Sequence, residues 1–140
     1  VDLLDMDEIP NVDFIKGDFC DEEIVSQIIS KLDGKPDLII SDMAPNTTGH
    51  QKTDHLRIMD LCERVIIFAI EHLNQGGSIV VKIFQGGAES EILKLAKKHF
   101  TKVKHFKPES SRKDSAEIYL VAQGFVGQHQ DNNIDSQRQN

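Results

Sequence analysis

Hydrophobic and polar residues change period several times along this 140-residue chain. "VDFIKGD" at residues 12–18 reads as a short strand. "DEEIVSQIISKLDG" then sets Ile24, Val25, Ile28, Ile29 and Leu32 on one helical face, with Gly34 just past the end. "PDLIIS" is a continuous apolar run of the kind found in parallel strands covered on both faces. From about Thr53 to Asn74, Leu56, Met59, Cys62, Ile66, Ala69 and Leu73 recur at helical spacing before Gly76 and Gly77, which predicts a long helix. "SIVVKIF" predicts another buried strand. A helix from about Glu89 to His99, a strand near "KVKHFK", a loop "PESSRKDS" and a last strand "AEIYLVAQGF" complete the series.

Alternating strands and helices define an α/β fold with a mostly parallel sheet, helices on both faces and a C-terminal antiparallel hairpin. No internal repeat is visible. Residues 1–126 are expected to belong to one folded domain, while "GQHQDNNIDSQRQN", with one aliphatic residue in fourteen, is expected to be a disordered tail over 127–140. With 39% hydrophobic residues the chain can build an ordinary single core. No stretch approaches the roughly 20 apolar residues of a membrane span. "VDLLDMDEIP" lacks the basic start and apolar body of a signal peptide, so a cytoplasmic protein without a membrane partner is expected. Cys20 and Cys62 have no metal-type spacing and are expected as reduced, packed thiols.

The net charge of −7 argues against nucleic acid until its distribution is considered. Residues 1–23 hold nine acids against only Lys16, whereas residues 94–113 hold eight of the sixteen basic residues against only Glu109. A basic face can bind phosphate whatever the total charge, although a solvated lysine-rich helix and loop explains the composition equally well.

In open sheets of this class ligands bind outside the carboxyl ends of the strands. Asp2 closes whatever strand precedes it, Asp18 closes "VDFIKG" and Asp42 closes "PDLIIS". Three carboxylates on one rim suit a ligand rich in hydroxyls and amines. Each alone is more often a turn-forming or helix-capping aspartate, so the weight lies in the coincidence of three. Lys82 is the odd residue inside "IVVKIF", where its neighbours predict burial, and Glu117 raises the same question in "AEIYLV". A snorkelling edge lysine is the plain alternative, disfavoured by the apolar flanks. Asp42, Lys82 and Glu117 lie on three strands that could be neighbours, and two acids flanking one lysine would satisfy each charge.

"SDMAPN", "GGSIVVKIFQG", "FTKVKHFKPESSR" and "AEIYLVAQGF", in this order, resemble the successive motifs of the RrmJ/FtsJ-type ribosomal RNA large-subunit methyltransferases, from Val1 to about Gly124. The resemblance implies a Rossmann-like fold that transfers a methyl group from S-adenosylmethionine to the 2′-hydroxyl of a uridine in large-subunit ribosomal RNA, without a metal. Three members of that family's Lys-Asp-Lys-Glu tetrad fall on Asp42, Lys82 and Glu117. Contacts to the cofactor fall on Asp2, Asp18, Phe19, Asp42 and Met43; the basic segment from Lys94 to Lys113 would then face the RNA backbone, with Lys107, Ser110, Ser111 and Arg112 as the expected contacts. Lys82 would orient or deprotonate the 2′-hydroxyl, with Asp42 and Glu117 tuning it.

Family members begin with a segment carrying the first lysine, followed by a strand and a glycine-rich loop of the form "GAAPGGW", and neither occurs here. The missing strand would be central, and a parallel sheet without it would expose two unpaired edges, so the chain is expected to be part of a longer protein. Two rival readings follow from the residues. A base-amine methyltransferase would carry Asx-Pro-Pro and an aromatic where "DMAPN" has one proline and no aromatic. A catalytically inactive RNA-binding module fits the missing lysine and loop, but has no need of a buried lysine.

Overall fold

A computed structural model describes residues 1–42, 49–84, 89–107 and 117–127. The chain divides into two compact units, Val1–Lys35 and Pro36–Asn140. The tail expected over 127–140 lies outside the described residues apart from Gly127.

In the first unit Asp21 opens helix α1 (Glu22–Lys31), its extended backbone and carboxylate capping the first turn through the Glu23 N–H at 3.0 Å. Glu22 and Glu23 near the start and Lys31 near the end match the helix dipole. Leu32 turns extended and ends the helix. The strand expected over residues 12–18 is reduced to one parallel bridge between Asp2 and Lys16. Its hydrogen bonds run from the Asp2 N–H to the Ile15 carbonyl and from the Gly17 N–H to the Asp2 carbonyl. A ladder needs a continuous neighbour, and the chain bends at Leu3 and Leu4 directly after the bridge.

The second unit contains strands β1 (Leu38–Ser41), β2 (Ser78–Phe84), β3 (Phe100–Phe106) and β4 (Glu117–Phe125), with helices α2 (Gln51–His72) and α3 (Glu89–His99). The sheet order is β1-β2-β4-β3. β1 and β2 are parallel, and the expected C-terminal hairpin of β3 and β4 is antiparallel. β4 inserts between β2 and β3, antiparallel to both, so the described sheet is mixed, with one parallel pair.

Period-two alternation explains the core. Ile79, Val81 and Ile83 of β2 pair directly with Ala122, Leu120 and Ile118 of β4, and all six are buried. Onto this face α2 lays Cys62, Val65, Ile66 and Ala69, with Leu73 just past its end, and α3 lays Ile92 and Ala96, again all buried. Within this unit both helices cover the same face. Leu38 and Ile40, which alternate with the inward Ile39, are 53% and 67% exposed, so "PDLIIS" is covered on one face of the unit rather than on both as expected.

The long helix is displaced by two residues at each end from the expected span. It stops at His72 because Leu73 turns extended and buries itself. Asn74 then ties the chain to the entry of β1, its N–H donating to the Pro36 carbonyl at 2.8 Å and its side-chain amide to Asp37 Oδ1 at 3.0 Å. Leu56, expected on the apolar face, is 61% exposed. A 22-residue helix is about 33 Å long, whereas the seven residues of β2 reach only about 23 Å. The helix therefore overshoots the sheet at its N-terminal end. No helix among the described residues is long and apolar enough to cross a membrane.

Gly124 in β4 sits at φ 73°, and a Cβ there would run into Thr101 Oγ1. Gly124→Ala is therefore expected to cost about 1–3 kcal/mol. The urea midpoint should fall with an unchanged denaturant slope; an unmoved midpoint would contradict the strained geometry.

Candidate active site

Lys82 lies in the middle of β2, paired with Tyr119 of β4 and flanked by the buried Val81 and Ile83. Alternation turns it away from the helix-covered core. The side chain is only 17% exposed, as the apolar flanks predict. Phe84 pairs with Glu117, which places Glu117 diagonally across from Lys82 on the same face. Diagonal neighbours are within reach of long side chains, and Lys82 Nζ lies 3.7 Å from Glu117 Oε1.

That separation makes an ion pair rather than a direct hydrogen bond. Glu117 is 47% exposed, so the pair is partly screened and worth at most about 1 kcal/mol. Its larger effect is to give a mostly buried ammonium a nearby counter-charge.

Asp42 follows Ser41, whose partner in β2 is Val81. One further step in the same register sets Asp42 level with Lys82. The described residues join Lys82 to Glu117 by an ion pair, and no ion pair joins it to Asp42, which is exposed. Of the three predicted catalytic residues, then, two meet directly and the third stands alongside at the strand end.

Two features of this neighbourhood were not visible in the sequence. Cys62 of α2 points its thiol at the other side of β2, Sγ donating to the Lys82 carbonyl at 3.4 Å. Burial pushes the thiol up to about 11, so it stays protonated and remains a donor at neutral pH. The expectation of free, packed cysteines holds for Cys62, which is buried, while Cys20 is half-exposed. The second feature is a row across the sheet: Lys82 pairs with Tyr119, and Tyr119 on its other side pairs with Phe106. The alternation of "EIYLV" could have placed Tyr119 on the face of Glu117, but only the strand order brings Phe106 into line.

In the first unit Asp2 Oδ1 accepts from the Leu4 N–H at 3.1 Å, and Asp18 Oδ1 accepts from the Cys20 N–H at 2.8 Å. These are the local turns that ordinary aspartates make. Each engages one carboxylate oxygen and leaves the other able to accept from a hydroxyl or amine. The Asp2–Lys16 bridge holds Asp2 beside the extended segment that Asp18 follows. Phe19, next in the chain, is half-exposed.

Lys107 is exposed just beyond β3. Met43, Ser110, Ser111 and Arg112 lie outside the described residues. Among the described residues no group of three or more His, Cys, Asp or Glu side chains is placed to hold a metal ion.

The architecture is that of a methyltransferase fold. A Plasmodium falciparum protein described as a ribosomal RNA methyltransferase superposes with a TM-score of 0.78 at 32% identity, over 91% of this chain and 71% of that one. The chain belongs to the FtsJ-like methyltransferase family, whose model matches residues 1–125. Curated relatives named Ribosomal RNA large subunit methyltransferase E include one from Acidiphilium cryptum, 54% identical over 89% of this chain and 56% of its own length. Another, from Hyphomonas neptunium, is 52% identical over 89% of this chain and 53% of its own length. The chain thus spans about half the length of these curated relatives.

The Cys62 thiol has a testable consequence. Its folded-state pKa lies above the unfolded value, so the folded state holds its proton longer as pH rises. Stability is then fully present below about pH 9 and declines as pH rises towards 11, by roughly 2–3 kcal/mol. Urea midpoints of the native chain should fall over that interval relative to Cys62→Ala. Parallel curves for the two proteins would show that the thiol does not contribute.

Proposed function

We propose that the enzyme to which these residues belong uses S-adenosylmethionine to methylate the 2′-hydroxyl of a uridine in large-subunit ribosomal RNA in the cytoplasm, with Lys82 as the residue that meets the hydroxyl. The observation that carries this reading is the Lys82–Glu117 ion pair at 3.7 Å on β2 and β4, with Asp42 level with Lys82 in the β1 register. Membership of the FtsJ-like family and the names of the relatives support the reaction class.

The carboxylates in the first unit fit the cofactor chemically. Asp2 and Asp18 each keep one oxygen outside their local turns, and such oxygens accept hydrogen bonds from ribose hydroxyls. Phe19 would lie beside the adenine, and Asp42 with Met43 would border the methionine end. When bound, the cofactor supplies an electrophilic methyl carbon on a sulfonium. Methyl transfer forms an oxygen–carbon bond as the sulfur–carbon bond breaks, so alignment of the ribose oxygen can provide much of the acceleration.

Lys82 suits that task because its ammonium is anchored to Glu117 without spending a short hydrogen bond on it. It can donate to the ribose oxygen and fix it in line, or take the hydroxyl proton when itself neutral. Glu117 would hold the ammonium in position through the ion pair, with Asp42 level with it at the strand end. Lys107, Ser110, Ser111 and Arg112 would contact the phosphate backbone of the RNA.

Lys82→Ala in the complete protein should lower turnover by about a hundred- to ten-thousand-fold. Calorimetric binding of S-adenosylmethionine should be nearly unchanged, and full activity in this variant would refute the assigned role. RNA affinity should also fall as salt is raised, by about 0.7 in log K per log salt for each phosphate neutralised on a single strand. A flat salt response would argue against a phosphate-binding basic flank.

A further inference from the structure

We propose that Phe106, with Tyr119 beside it, is a stacking platform for the bases of single-stranded RNA next to the nucleotide held at Lys82. The proposal rests on the reading of the chain as part of an RNA methyltransferase. Phe106 is the last residue of β3 and pairs directly with Tyr119, which pairs directly with Lys82. Directly opposed residues share a face of the sheet, so the three form one row on the face turned away from α2 and α3.

The row stands where a bound strand would pass. β2 and β3 both run towards it, so it lies near their carboxyl ends, where ligands of such sheets bind. Adjacent strands are about 4.8 Å apart, which puts Phe106 about 10 Å across the sheet from Lys82. That spacing lets a ribose sit at Lys82 while a neighbouring base reaches the aromatic rings.

Phe106 is 57% exposed. A lone exposed phenylalanine needs no special explanation, but the surroundings of this one are specific. Lys102 and Lys104 alternate with Val103 and share the face of Phe106, and Lys107 follows Phe106. Residues 92–107 hold six lysines and no acid. Aromatic rings interleaved with a run of positive charge are what a single strand requires, because the rings take the bases and the lysines take the phosphates. A protein helix would instead need a continuous apolar stripe, and along β3 the neighbours of Phe106 on this face are lysines.

The test is fluorescence anisotropy with a labelled, uridine-rich single-stranded RNA decamer, titrated at several salt concentrations against the complete protein with the native chain's residues, with Phe106→Ala and with Phe106→Trp. Phe106→Ala should weaken binding by about tenfold with an unchanged salt slope, and Phe106→Trp should bind as the native chain does. Lys104→Ala should instead reduce the salt slope by about 0.7. Equal affinity for the native chain and Phe106→Ala, or a salt slope changed by that substitution, would overturn the stacking role while leaving the RNA reading intact. Failure of the complete, unsubstituted protein to bind the decamer would overturn both.

Discussion

Slipping β4 by one residue against β2 would turn Ile118, Leu120 and Ala122 out of the core and would part Lys82 from Glu117 in the same movement. Register between these two strands is therefore the constraint on which both the packing and the site depend. The magnitudes show which effect sets it. Burying a large aliphatic side chain contributes about 1.5–3 kcal/mol, and β2 and β4 bring together five of these, Ile79, Val81, Ile83, Ile118 and Leu120, with the smaller Ala122. The partly exposed ion pair contributes at most about 1 kcal/mol. Hydrophobic alternation thus chooses the register, and the charged pair is delivered to its place by that choice.

The same strand is addressed from both sides. On one face, α2 presses Cys62 against the Lys82 carbonyl, and on the other the ammonium meets Glu117. The backbone at Lys82 is thereby held between the packed side of α2 and the ion pair on the opposite face. In the role proposed for Lys82 such support would matter, because a shift of about 1 Å can cost a hundredfold in rate. Beyond Ser41, β1 contributes no further ladder pair, which leaves Asp42 exposed beside this point.

Much of this was legible in the sequence. The oddity of Lys82 among apolar neighbours signalled a partner, and Glu117 proved to be that partner because both positions fall on the outward phase of their strands. Other features depend on what lies next to what, which periodicity does not encode. "PDLIIS" reads as a strand covered on both faces, yet within its own unit the crossover helix covers only one. "VDFIKGD" has the look of a strand but finds only Asp2 to bridge to. The row from Lys82 through Tyr119 to Phe106 requires β4 to lie between β2 and β3, an order opposite to their sequence order. Asp2 and Asp18 illustrate a different limit, since their local turns are equally those of ordinary aspartates and of cofactor contacts.

The central claim is that a ribose oxygen, held at Lys82, receives the methyl group. Its most direct test uses the complete protein, S-adenosylmethionine carrying a radiolabelled methyl group, and undermethylated large ribosomal subunits, followed by alkaline hydrolysis of the RNA. A 2′-O-methyl group blocks the neighbouring hydroxyl attack, so the account predicts label in alkali-resistant dinucleotides. Label released in mononucleotides would mean that a base is methylated, and would contradict the account.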